Sequence, residues 1–241
     1  MKITYIGHSG FLVELEKTYL LFDYYEGAIP PLNQDKQLYV FVSHKHADHY
    51  NFQIWDLRKQ YSKVKYILSK DVPFTENVRK RRGLKEDILD VTLRVHGNNT
   101  YQLDELAITT VKSTDQGVAY LVKAEGRSIY HAGDLNLWAW REESETYNTK
   151  MRRNYCGQID RIKDVPVDVA FLPLDSRQGE YAYGGIDYFR KQVAVKHIFP
   201  MHFWGKFELT EAYLMDHRGE PGMEGFHVIT KEGQTFLPVL K

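Results

Sequence analysis

The chain has 241 residues, 43% hydrophobic and 27% charged, the make-up of a globular protein able to bury a sizeable core. Lys plus Arg and Asp plus Glu each total 32, so the basic excess that draws nucleic-acid binders to phosphate backbones is absent. One cysteine, Cys156, excludes an internal disulfide framework and leaves histidine and carboxylate as the side chains able to cage a metal.

The opening MKITYIGHSGFLVELE alternates apolar and polar residues and carries Glu14 and Glu16, unlike the unbroken apolar stretch of a signal peptide. No run approaches the length of a membrane span, so the expectation is a cytoplasmic protein with no membrane partner. Phe11, Val13 and Leu15 alternate and residues 18–22 return towards Asp23, which predicts a hairpin. LYVFV at 38–42 reads as a strand buried on both faces, and it runs straight into His44, His46, Asp48 and His49. Ile54, Leu57 and Tyr61 follow at helical spacing. Arg79, Lys80, Arg81 and Arg82 before Gly83 read as a helix C-terminus with a basic last turn. A second hairpin-like region covers 91–111, with Gly97, Asn98 and Asn99 as its turn between 91–95 and 100–103.

Three more apolar runs end in reactive residues. SIY at 128–130 leads into His131 and Asp134, VDVAFL at 167–172 into Asp175, and HIFPM at 197–201 into His202. Met151, Tyr155, Ile159 and Ile162, then Ile186, Phe189 and Val193, keep helical spacing between them. Reactive groups beyond the carboxyl ends of buried strands converge on one rim of a sheet. No linker or repeat divides the chain, which predicts a single domain over 1–241 with two similar halves. The segment 135–165, with Trp138, Trp140 and Cys156, is placed as a helical flap over the rim.

The densest signal is H-x-H-x-D-H at 44–49. Residues two apart on an extended loop point the same way, so His44 and His46 can grip one ion while Asp48 and His49 address a second point. Imidazole and carboxylate suit borderline ions, zinc first, with Mn2+ or Fe as alternatives.

This motif, followed by His131-Ala132-Gly133-Asp134 and by Pro200-Met201-His202, resembles the metallo-β-lactamase-fold hydrolase superfamily over nearly the whole chain. Together with Tyr5-Ile6-Gly7-His8-Ser9 it is similar to the branch of ascorbate-6-phosphate-lactonase-like metal-dependent hydrolases. The resemblance implies an α/β (α+β) fold, a four-layer αββα sandwich of two mixed sheets with helices outside. It implies His44 and His46 at a first metal, Asp48, His49 and His202 at a second, and Asp134 between them. It also implies a third histidine at the first metal, where this chain has Ser113, with Asp115 and His96 as the nearest substitutes. The second site is therefore expected to fill in preference to the first. His8 is placed against substrate or behind the ligands, His131 behind them, and Asp175 and Arg177 at the rim, where a polar substrate or a loop salt bridge would engage them. His197, His217 and His227 are expected to be structural or at the surface.

The function implied is a metal-dependent hydrolase. Metal-activated hydroxide would attack an ester, lactone, amide or phosphodiester of a small molecule, with Asp48, His49 and Asp134 closest to the chemistry. Two alternatives stay open: an RNA- or DNA-processing nuclease of the same superfamily, and a metal-binding protein without catalysis. Nucleic acid is not an expected partner, and a homo-oligomer is left open.

Overall fold

Alternation along short strands sends successive side chains to opposite faces, and here both faces are buried. The computed structural model describes residues 1–239. β1 (Lys2–Gly7), β2 (Gly10–Glu14), β3 (Thr18–Phe22), β4 (Gln37–Val42), β5 (Val64–Ser69) and β6 (Thr92–Val95) follow one another across the first sheet. β7 (Thr100–Leu103), β8 (Leu106–Lys112), β9 (Val118–Ala124), β10 (Arg127–His131), β11 (Val167–Pro173) and β12 (Val195–Met201) do the same in the second. The short β13 (Thr235–Phe236) returns to the first sheet beside β1. Both sheets are mixed: their early hairpins are antiparallel, whereas β3 to β6 and β10 to β12 pair in parallel.

Leu20, Phe22, Tyr39 and Phe41 face a core shared with Ile108, Tyr120, Val122, Ile129 and Phe171 of the second sheet. Their neighbours Tyr19, Leu21, Leu38, Val40 and Val42 face the other way, onto Ile54 and Trp55. Those two residues lie in a 3-10 turn, Phe52–Asp56, which runs into α1 (Leu57–Gln60). α2 (Glu76–Arg81) ends at Arg82 and Gly83, as its basic last turn predicts. Over the second sheet lie α3 (Glu145–Ile159), α4 (Gly184–Gln192) and α5 (Glu208–Asp216). Phe189 of α4 stacks on Tyr130 of β10 at 4.9 Å, while the next residue, His131, stacks inward on Phe22 at 5.0 Å. The layers are thus helix, sheet, sheet, helix. Among the described residues no helix is long and apolar enough to cross a membrane.

One expected element differs. Residues 91–95 and 100–103 do not form a hairpin: β6 pairs with β5, whereas β7 pairs with β8 in the other sheet. The Gly97–Asn99 turn carries the chain across. A Cβ at Gly97 would stand 2.9 Å from Lys112 Cα, and Asn98, with φ 61°, accepts a hydrogen bond from Lys112 N. The turn therefore packs against the end of β8 instead of closing on β6.

Candidate metal centre

Four strand ends meet at one rim. β4 delivers His44–His49, β10 delivers Asp134 through a tight turn, β12 delivers His202, and β1 ends next to His8. Glycine makes the close approach feasible at Gly133, where φ is 51° and a Cβ would stand 2.6 Å from Ser43 Cβ.

The rings are oriented from behind. Ser43 Oγ donates to Asp23 Oδ2 at 2.6 Å and lies 2.9 Å from His44 Nδ1, so that ring nitrogen is the donor of the pair. Asp23 Oδ2 also takes His49 Nδ1 at 2.8 Å, and its Oδ1 takes Ser43 N at 2.7 Å. Asp175 Oδ2 takes His202 Nδ1 at 3.0 Å. With each Nδ1 committed as a donor, each Nε2 presents a lone pair to the front.

What stands in front is carboxylate. Asp134 Oδ2 is 3.2 Å from His44 Nε2, and Asp134 Oδ1 is 3.0 Å from His49 Nε2 and 3.4 Å from His202 Nε2. Asp48 Oδ2 lies 3.2 Å from His8 Nε2, 3.7 Å from His49 Nε2 and 3.8 Å from His202 Nε2. Lone pairs facing carboxylate oxygens repel unless a proton or a cation lies between them. The Nε2 atoms of His8, His44 and His49 and Asp134 Oδ1 are all buried without a hydrogen-bond partner. Charge has accumulated accordingly. Burial opposes ionising His49, yet Asp134 and Asp23 on either side hold its pKa well above the ordinary value. Burial likewise opposes the Asp134 carboxylate, but His49, His44 and His202 hold it well below the usual range. Donors of this kind fit a cation of the borderline class.

Two groups of four donors emerge, each with its atoms within 4.8 Å of one another: His44, His46, Asp115 and Asp134, and His8, Asp48, His49 and His202. All six residues of the expected ligand set are therefore brought together. His8 stands in the second group, nearer than a purely supporting position. Asp115, with its Oδ2 3.7 Å from His46 Nδ1, stands in the first. Ser113 is buried and faces its own loop, accepting from Asp115 N at 3.1 Å. The loop is pinned to the motif at Gly117, where φ is 69° and a Cβ would fall 2.0 Å from Ser43 O. Val118 N donates to that same oxygen at 3.0 Å. His96 is exposed and belongs to neither group. His131 binds backbone, with Nε2 donating to Ser9 O at 2.9 Å and Nδ1 accepting from Gly133 N at 3.1 Å. Burial keeps its pKa low and the ring neutral.

Asp175 and Arg177 form a close pair, with Arg177 Nη2 2.6 Å from Asp175 Oδ2. The salt bridge and the position at the rim coexist, because the same carboxylate holds His202. Asp23 and Ser43 escaped the sequence reading. Asp23 follows the apolar end of β3 just as the other site residues follow theirs, and that was the available signal. His197 and His227 pair 3.1 Å apart beside β12, and His217 stacks on Tyr213, all outside the two donor groups.

Comparison with known proteins bears on the family and the fold. The family described as Beta-lactamase superfamily domain matches residues 2–146, more than half of the chain. A UPF0173 metal-dependent hydrolase from Opitutus terrae is 30% identical over 222 residues, covering 84% of this chain and 85% of that protein. Igni18, a metallo hydrolase from Ignicoccus hospitalis, superposes with a TM-score of 0.68 at 18% identity over 100% of this chain and 99% of that one. CmlA, a diiron β-hydroxylase from Streptomyces venezuelae, shares the fold with a TM-score of 0.54 at 13% identity, over 83% of this chain and 44% of its own. On the extent of the family match and the identity to the Opitutus protein, the chain belongs to the beta-lactamase superfamily, among its metal-dependent hydrolases.

Proposed function

We propose that the protein is a two-cation hydrolase of a small molecule. His44, His46, Asp115 and Asp134 would hold one cation and His8, Asp48, His49 and His202 the other; Asp134 stands between the groups, with Oδ2 towards His44 and Oδ1 towards His49. The observation that carries this reading is the set of buried, partnerless atoms on His8, His44, His49 and Asp134. Zinc suits nitrogen and oxygen donors of this kind, and Mn2+ or Fe remain to be tested against it. When bound, such a cation supplies Lewis acidity and brings the pKa of water from 15.7 to about 7.

The chain's own residues do the remainder. Asp48, half-buried at the cavity, is placed to orient a water through its carboxylate; burial opposes its ionisation, but the hydrogen bond from His8 and the charges of His49 and His8 hold its pKa below the usual carboxylate range. Asp134 fixes the separation of the two groups. Asp23 and Asp175 keep the His49 and His202 imidazoles aimed through their Nδ1 atoms. A nuclease gains no support from the cavity, whose described lining carries one Lys or Arg, Arg177, against Asp48, Asp115 and Asp134.

The second group is the more buried, while His46 and Asp115 retain 37% and 42% side-chain exposure, so the second group should fill first. Titrating metal-free protein with zinc is expected to show two steps, and Asp115→Ala to leave about one equivalent. A single equivalent unaffected by Asp115→Ala would remove Asp115 from the ligand set. Loaded protein should hydrolyse at least one member of a panel of esters, lactones, amides and phosphodiesters, and lose that activity to a chelator. Binding without any turnover favours the non-catalytic alternative.

A further inference from the structure

Metal ligation leaves one side of the cavity unexplained. The cavity has a volume of about 420 Å3, within the range of small-molecule sites, and opens directly over the two donor groups. Trp138 and Trp140 lie almost parallel along one wall, 7° apart with ring centroids at 6.1 Å. Trp138 is tied to the centre, since its Nε1 donates to Asp134 O at 2.9 Å. Tyr147 and Met151, four residues apart on α3, extend the same apolar face.

Arg177 stands at this cavity as its only Lys or Arg among the described lining residues. Asp175 takes its Nε and Nη2, and the guanidinium lies over the Trp204 ring at 4.7 Å. The plane of the guanidinium is thus fixed. Among the described residues no acceptor takes Nη1, and the side chain is 51% exposed. A held guanidinium with a free edge recognises an oxyanion in a set direction.

We propose that this cavity selects a small anionic substrate with a flat apolar part. The oxyanion, carboxylate or phosphate, meets the Nη1 edge of Arg177, and the flat part lies on the Trp138–Trp140 wall. The bond to be cleaved is left over the donor groups. The proposal rests on the hydrolase reading for that last step. A polyanion is disfavoured, because Asp48, Asp115 and Asp134 face the same space.

Calorimetry on zinc-loaded protein with phenylacetate, phenyl phosphate, phenylacetamide and acetate separates the contributions. The better aryl anion is expected to bind about tenfold or more tighter than phenylacetamide, as a charge-assisted hydrogen bond allows. The two aryl anions then tell carboxylate from phosphate. Arg177→Met should abolish that preference with phenylacetamide affinity and zinc content unchanged, and Arg177→Lys should restore part of it. Trp140→Ala should weaken the aryl ligands and leave acetate unaffected. Equal binding of the aryl anions and phenylacetamide by the native protein would overturn the proposal, whatever the variants do. So would a preference that survives Arg177→Met. Selective binding without hydrolysis of any ester, lactone, amide or phosphodiester refutes the hydrolase reading alone. Hydrolysis with no preference for charge or ring refutes this proposal alone.

Discussion

Asp23 shows how a residue that touches no substrate governs a site. Its carboxylate accepts from Ser43 N, Ser43 Oγ and His49 Nδ1, and through Ser43 it also sets His44. Asp23→Asn keeps the shape but turns one acceptor into a donor, which then opposes either Ser43 or His49. Loss of such a supporting carboxylate is expected to weaken cation binding by about 10–100-fold. Competition with a chromogenic chelator measures this, and unchanged affinity would show that packing alone aims the rings. The front of the site was legible because its spacing is local: His44, His46, Asp48 and His49 announce themselves within six positions. The back was not, since Asp23 contacts His49 across 26 residues and offers no motif of its own. Asp115 was legible only as a substitute for a histidine, because what brings it rather than Ser113 beside His46 is the fold of one turn. Ser113 Oγ accepts from Asp115 N within that turn, and the Asp115 carboxylate reaches to 3.7 Å from His46 Nδ1.

At the scale of elements, the parallel strands were the most readable, because both of their faces are buried and their apolar runs are continuous. β6 and β7 were misread as partners because a Gly-Asn-Asn turn looks the same whether it closes a hairpin or crosses between sheets. β12 carries a pH signature. His227 stacks on Phe199 at 4.2 Å and lies 3.1 Å from His197; burial first, then the His197 charge, push its pKa down to about 4. The unfolded ring titrates near 6.5, so between about pH 6.5 and 4 the unfolded chain binds more protons. The contribution is present above pH 6.5 and is lost as pH falls through that window. The difference in Tm between pH 7.5 and 5 should therefore shrink in His227→Gln, measured on metal-free protein. An undiminished difference would place the acid sensitivity elsewhere.

Across the whole molecule, the two sheets are joined by more than apolar contact. Tyr120 of β9 is fully buried, and its hydroxyl donates to Val42 O of β4 at 2.8 Å, with Ile67 O of β5 at 3.3 Å. Tyr120→Phe keeps the ring and removes that link, at an expected cost of about 1–2 kcal/mol. In a protein of this size that is a fall of roughly 2–8 °C in Tm, with zinc stoichiometry retained. An unchanged Tm would mean that the carbonyls are satisfied within their own sheet.

The donor groups themselves also straddle the sheets, drawing His8 and residues 44–49 from one and Asp115, Asp134 and His202 from the other. They span the chain from its eighth residue to its two hundred and second. During synthesis, the motif at 44–49 leaves the ribosome long before β12 exists, so a nascent chain exposes unpaired imidazoles but lacks His202 and the aspartate that aims it. The first group is complete once Asp134 has been made, whereas a complete second site is available only to a chain translated past His202.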